Sequence, residues 1–143
     1  MIYTEKTKKA LKLCFEAHKN QVDKSGLPYV FHPFHLAEQM CDEDTTVVAL
    51  LHDVIEDTDY TIDDLTQMGF NKAITDALVL LTHDDDTPYM DYVAKIKQNP
   101  IAKAVKLADL AHNSDITRLD TVDHKALLRK EKYEKAIELL RKD

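Results

Sequence analysis

The 143 residues include no tryptophan, two glycines, four prolines and two cysteines. So little glycine and proline leaves no flexible linker, internal repeat or low-complexity segment, and a chain of this length is expected to form one domain over residues 1–143. Cys14 and Cys41 fall in helix-like segments without metal-type spacing, which reads as reduced core thiols in a cytoplasmic protein and not as a disulfide framework. The longest apolar runs, VVALL and ALVLL, are too short to span a bilayer. The N-terminus, MIYTEKTKKALKLCF, interleaves lysines with apolar residues, which is not the pattern of a secretion signal. A basic excess is missing as well. Lysine and arginine number 19 against 26 aspartates and glutamates, a formal charge of -7, so there is no basic face to displace counterions from nucleic acid. An acidic chain can still take an anionic substrate where a metal and a few local cations supply the field.

Strand-type alternation is also scarce, whereas apolar spacings of three and four recur throughout. The expected fold class is therefore all-α, a single-domain helical bundle. Helices are predicted over residues 3–19, 33–41, 44–56, 62–68, 70–82, 88–97, 100–113 and 122–141. Pro33, Pro88 and Pro100 each follow a capping candidate (His32, Thr87, Asn99) and fit the first helical position. Thr61 with Asp64 forms a capping-box pattern, and Gly69 marks a helix end. An ordered loop, NQVDKSGLPYVFH, separates the first two helices.

The informative stretch is VVALLHDVIEDT, Val47 to Thr58. An apolar helix runs into His52, Asp53, Glu56 and Asp57. As one continuous helix it would carry His52 and Glu56 on one stripe and Asp53 and Asp57 on the next. Acids are unfavourable near a helix C-terminus, where the dipole is negative, so a nearby positive charge is expected and a divalent cation is the economical one. Two other segments supply matching donors: His32 at the head of HPFHLAEQM, and Asp109 in AVKLADLAHNSD, with Lys106 and Asn113 on the same helical face. His, His-Asp and Asp on three helices make a nitrogen and oxygen donor set suited to a mid-series divalent ion such as Mn²⁺, with Fe²⁺, Co²⁺ and Zn²⁺ as alternatives. Four protein donors leave an octahedral ion room for water and substrate oxygens.

The combination of FHP, ALLHDVIEDT and VKLADLAHNSD resembles the HD superfamily of metal-dependent phosphohydrolases. Within it, the chain is most similar to the hydrolase domain of Rel/Spo-type alarmone enzymes and their small stand-alone relatives. The likeness runs in order from His18 to Asn113 and includes AHKNQVDKSGLPYVFHP. It implies His32, His52, Asp53 and Asp109 as metal ligands, Glu56 and Asp57 as the catalytic pair, and Asn113 as a residue facing substrate. Lys24, Ser25 and Lys106 are further candidates for substrate contact. The resemblance implies a metal-dependent hydrolase that removes pyrophosphate from (p)ppGpp to give GDP or GTP; the acidic balance and the short apolar runs lead us to expect no nucleic-acid or membrane partner. Two rival functions are a nucleotide phosphatase or phosphodiesterase of other base specificity, and a metal-loaded module that binds a nucleotide without cleaving it.

The chain departs from the family at several points. The family usually places a basic pair before Ser-Gly, the first of which contacts the guanine base, where this chain has Asp23-Lys24. Before His-Asn the family usually has Arg-Leu, replaced here by Leu110-Ala111, and Ser-Asp-Ile-Thr follows Asn113. Among the remaining groups, His18 reads as orienting substrate or a ligand, or as a core or supporting histidine, His35 as a supporting or surface residue, and His112 as a residue that can cover the site. His83 with Asp84, Asp85 and Asp86 reads as a solvated loop, and His124 as surface. Arg118 is a candidate to meet phosphate. The last helix, with an apolar stripe through Leu127, Leu128, Ala136, Ile137 and Leu140, is expected to close the core and leave Arg129 and Lys132 away from substrate.

Overall fold

Thr4 starts the first helix by a reciprocal cap: its hydroxyl accepts from Thr7 N at 3.1 Å while the Thr7 hydroxyl accepts from Thr4 N at 2.7 Å. The computed structural model describes residues 1–143 as nine α-helices and one 3₁₀ turn. They are α1 (Glu5–His18), α2 (Phe31–Glu38), α3 (Glu43–Leu51), α4 (Val54–Asp57), α5 (Ile62–Gln67), α6 (Lys72–Leu81), α7 (Tyr89–Ile96), α8 (Pro100–Asn113), the 3₁₀ turn η1 (Ile116–Arg118) and α9 (His124–Arg141). The all-helical expectation holds. No helix is long and apolar enough to cross a membrane.

The centre is α3. Every residue from Thr45 to Leu51 is buried, which is why this helix reads as apolar on all sides. It packs against α1, α2, α6 and α8, while α9 lies on α7 and α8. One cluster of buried side chains, including Leu36, Leu50, Leu65, Ile74, Leu78, Ile96 and Leu140, joins these helices. Cys14 belongs to it, whereas Cys41, expected in the core as well, is exposed because α2 ends before it.

Several helix starts stand where the sequence places them: Asn99 caps α8 with Pro100 in its first turn, and Thr61 with Asp64 forms the capping box of α5. Gly69, at φ +97°, follows the end of α5 in a conformation that favours glycine. Three expectations are corrected. Helix α2 begins at Phe31, so His32 lies inside its first turn and not at its cap; Pro33 is tolerated there because first-turn amides have no helical acceptor. Pro88 is itself the cap of α7.

The third correction bears on function. Residues 44–56 do not form one helix: α3 ends at Leu51 and α4 starts at Val54. The cause is His52, whose Nδ1 donates to the Ala49 carbonyl at 2.7 Å. That oxygen is the one a continuing helix would offer to Asp53 N, so the ring displaces the ladder. Asp53 turns to φ -105°, ψ 1° and caps α4. Asp57 N still bonds to Asp53 O at 2.9 Å, so one of the two expected stripes survives, while His52 is turned inward and Glu56 stays exposed.

Candidate active site

Three segments converge behind this break. His32 comes from α2, His52 and Asp53 from the turn between α3 and α4, and Asp109 from the middle of α8. His32 Nε2 lies 2.9 Å from Asp109 Oδ1, and His52 Nε2 lies 3.0 Å from Asp53 Oδ2 and 3.5 Å from Asp109 Oδ1. Donor atoms of His32, His52 and Asp109, all buried, fall within 4.8 Å of one another.

The charges in this cluster oppose burial. Burial alone would strip the proton from His52, but Asp53 and Asp109 overrule it and raise its pKa well above the ordinary histidine value. Burial likewise disfavours ionised Asp109, yet Lys106, His32 and His52 together hold its carboxyl well below the usual range. Asp53 is lowered in the same manner, with His52 outweighing burial. Two carboxylates gathered round one imidazole nitrogen amount to a preference for positive charge at that point.

A divalent ion fits it. The Ala49 carbonyl takes the Nδ1–H of His52, so the lone pair of the neutral ring sits on Nε2. That atom is fully enclosed and, despite its near carboxylates, makes no hydrogen bond of acceptable geometry. A buried nitrogen aimed at two carboxylates without a hydrogen bond is a donor suited to a cation, and imidazole with carboxylate suits a divalent ion. The nearby groups are themselves oriented. The Tyr29 hydroxyl donates to Asp53 Oδ2. Asn113 Nδ2 donates to Asp109 Oδ1 at 3.0 Å, and Lys106 Nζ to Asp109 Oδ2 at 2.9 Å.

Glu56 and Asp57 stand at the mouth of this cluster. Glu56 Oε1 accepts the His83 backbone N–H at 2.8 Å, which ties α4 to the loop before α7. The Asp57 carbonyl accepts from Gln21 Nε2 at 3.0 Å, and Gln21 Oε1 in turn accepts from buried His18 Nδ1 at 2.8 Å. The Asp57 carboxyl, open to solvent on one side, is pushed up to about 6 by burial, Asp53 and Glu56.

Two cavities meet here. One, of about 540 Å³, is lined by His52, Asp53 and Asp109 of the cluster, by Glu56, Asp57 and Lys106, and by Tyr89, Tyr92 and Lys132, whereas His32 faces the other. The other, of about 450 Å³, lies between the 19–30 loop, η1 and α9, with Asp23, Ser25, Arg118 and Arg129 in its walls. Lys24, Tyr29, Asn113 and Tyr133 border both. The candidate substrate residues are thus distributed: Lys106 in the first cavity, Ser25 in the second, Lys24 and Asn113 at the boundary. Ser25 Oγ already donates to the Arg118 carbonyl at 2.7 Å, and Lys106 is paired with Asp109.

The departures from the family have visible causes. Asp23 Oδ1 accepts from Ser25 N at 2.8 Å and Leu27 N at 3.0 Å, so this carboxylate staples its own loop. Arg118, from η1, brings its guanidinium 3.9 Å from Asp23 Oδ2. Leu110 is buried in the core and Ala111 is exposed, and neither lines either of these two cavities.

Three local expectations fail. His83 is not simply a solvated loop residue, although Asp84 to Asp86 are exposed. Its ring stacks on Tyr92 at 4.5 Å between centroids, and it borders the larger cavity. Arg129 and Lys132 are not turned away: each lines a cavity, and Lys132 sits 4.4 Å over the Tyr89 ring. With Lys24 they form a cationic rim; burial and then these two neighbours lower the Lys24 pKa. Finally, Leu127 and Leu128 are half exposed, and α9 is anchored instead by Ala126, Ala136 and Leu140. Tyr29, within the family-like loop, was the findable omission. Tyr89, Tyr92 and Tyr133 carry no local signal, since only packing brings them to the site.

No family model matches the chain. The bifunctional (p)ppGpp synthase/hydrolase SpoT of Escherichia coli is 34% identical over 113 residues, 68% of this chain and 16% of that protein. A mouse guanosine-3′,5′-bis(diphosphate) 3′-pyrophosphohydrolase is 34% identical over 114 residues, covering 69% of this chain and 63% of the relative. A solved structure, a metazoan ortholog of SpoT that hydrolyses ppGpp and plays a role in starvation responses, superposes at a TM-score of 0.79 with 23% identity, over 99% of this chain and 88% of that one. The chain is a homologue of the (p)ppGpp hydrolases, with their HD-type fold. This homologue spans about one sixth of SpoT, as the 16% coverage states.

Proposed function

We propose that the chain is a divalent-metal-dependent (p)ppGpp 3′-pyrophosphohydrolase of the cytoplasm, with Mn²⁺ the leading metal. The observation that supports it is the enclosed His32–His52–Asp109 cluster with Asp53 at its edge and Glu56 and Asp57 at its mouth. In this reading His32, His52, Asp53 and Asp109 hold the ion, which supplies Lewis acidity toward a phosphoryl oxygen and toward water.

The protein's own groups do the rest. Water attacks the phosphorus joined to the 3′-oxygen; that P–O bond breaks, pyrophosphate leaves, and the 3′-oxygen takes a proton. Asp57, at the mouth of the cluster, accepts the proton of the attacking water, whereas Glu56 orients that water from its tether on His83 N. Lys24 and Lys132 stand where the phosphate charge needs cations, and Asn113 links the phosphate cavity to the second cavity, which is large enough for a nucleoside.

The test is incubation of the purified protein and Mn²⁺ with ppGpp, GTP and nucleoside monophosphates, followed by identification of the products. Pyrophosphate with GDP from ppGpp is expected; an untouched alarmone alongside cleaved monophosphates would select a nucleotide phosphatase instead. Asp23 favours the latter in one respect, because its carboxylate occupies the family's usual cation position. Guanosine and adenosine tetraphosphates should accordingly differ in kcat/KM by less than about a thousandfold.

A further inference from the structure

Both ring nitrogens of His32 are engaged. Nε2 points into the donor cluster, 2.9 Å from Asp109 Oδ1, and Nδ1 lies 2.7 Å from Nδ1 of His112. So short a contact between two imidazole nitrogens requires one to donate and the other to accept. For His32 to offer a lone pair at Nε2, its proton must sit on Nδ1, and Nδ1 of His112 must then be bare.

We propose that His112 is the positioning residue of the metal site: by accepting the Nδ1–H of His32 it fixes the tautomer and the ring angle that present Nε2 to the ion. This inference rests on the metal reading above. Metal-binding histidines generally donate their second nitrogen to a carboxylate, a carbonyl or water; here a second imidazole fills that role. The rest of the surroundings locks the acceptor in place. The two rings are within 4° of parallel, with centroids 5.0 Å apart. His35 covers His112 at 4.1 Å. Arg118 donates to the His112 carbonyl at 2.9 Å, pinning the C-terminal turn of α8. His35 and Arg118 thus have a use as supports of this residue.

Asparagine places its Oδ1 near the position of a histidine Nδ1, so it retains the acceptor and loses the ring. Phenylalanine retains the ring and loses the acceptor. The experiment titrates Mn²⁺ into the full chain, the His112→Phe variant and the His112→Asn variant, reading the dissociation constant. Melting of the metal-free forms serves as the control for folding. A 10- to 100-fold weaker constant for Phe, the range for loss of such a partner, with Asn within about threefold of the parent, is the expected result. Phe binding Mn²⁺ as tightly as the parent overturns the proposal. So does equal weakening in both variants with unchanged melting, which would assign the effect to ring packing. Should the Phe variant fail to fold, His112→Leu replaces it under the same criteria. A parent chain that binds no Mn²⁺ is a different pattern: it removes the metal reading itself, and this inference with it.

Discussion

Asp57 carries the clearest conflict between stability and chemistry. Its carboxyl titrates near 6 in the fold against an ordinary value of 3.8, because burial and the charges of Asp53 and Glu56 disfavour ionisation more than His52 favours it. The protonated form therefore contributes stability that is fully present below about pH 4 and lost as the pH rises through about 6. Asp57→Asn mimics that form at every pH. In the metal-free protein this variant should melt higher than the parent at pH 8, the difference closing toward pH 4. A difference independent of pH would show that the ionised carboxylate is not the strained group. Kinetics test the same residue from the other side. Glu56→Gln and Asp57→Asn should hold Mn²⁺ nearly as the parent does while kcat falls by about a hundredfold. Loss of the metal would move one carboxylate into the ligand set. An unchanged kcat would leave water activation to the ion alone.

At the scale of the element, α3 does two separate jobs, and its two ends show which residues do each. Its body is core: Leu50 is fully buried, so Leu50→Ala should cost about 2–5 kcal/mol, depending on how far the site collapses. Its start is local: Asp42 Oδ1 accepts from both the amide and the hydroxyl of Thr45 at 2.8 Å, and Asp42→Ala should cost about 1 kcal/mol. Urea unfolding separates the two, and an Asp42 effect as large as that of Leu50 would mean the cap does more than hold one turn. The end of α3 is functional, because the His52 side chain that stops the helix also orients its own Nε2.

At the scale of the molecule, the donor cluster joins α2, the α3–α4 turn and α8, elements far apart in sequence. An ion held there binds the folded chain and has no equivalent site in the unfolded one, so it stabilises by mass action. Chelation should lower the melting temperature and added Mn²⁺ should restore it in a concentration-dependent way. The His52→Ala, Asp53→Ala double variant should show neither response. A chelator effect that persists in that variant would place the stabilising ion elsewhere.

The sequence by itself determined what depends on local physics. Apolar spacing made the chain helical, the Thr61–Asp64 and Asn99–Pro100 pairs set helix starts because a cap needs only neighbouring atoms, and the donor types in FHP, HD and KLAD pointed to a divalent ion. Tertiary structure decided whatever depends on distance across the fold. Residues 44–56 read as one helix because no propensity scale includes a histidine that takes its own helix's carbonyl. His112 gained an acceptor role only when α8 met α2, and Arg129 and Lys132 became cavity walls only when α9 leaned across the site. Asp23 looked like a lost cation, yet it staples its loop and faces Arg118, a partner so far along the chain that no local pattern could supply it. Short-range hydrogen bonds and periodicity are written in neighbouring residues, whereas a site is a set of side chains that only packing brings to one point.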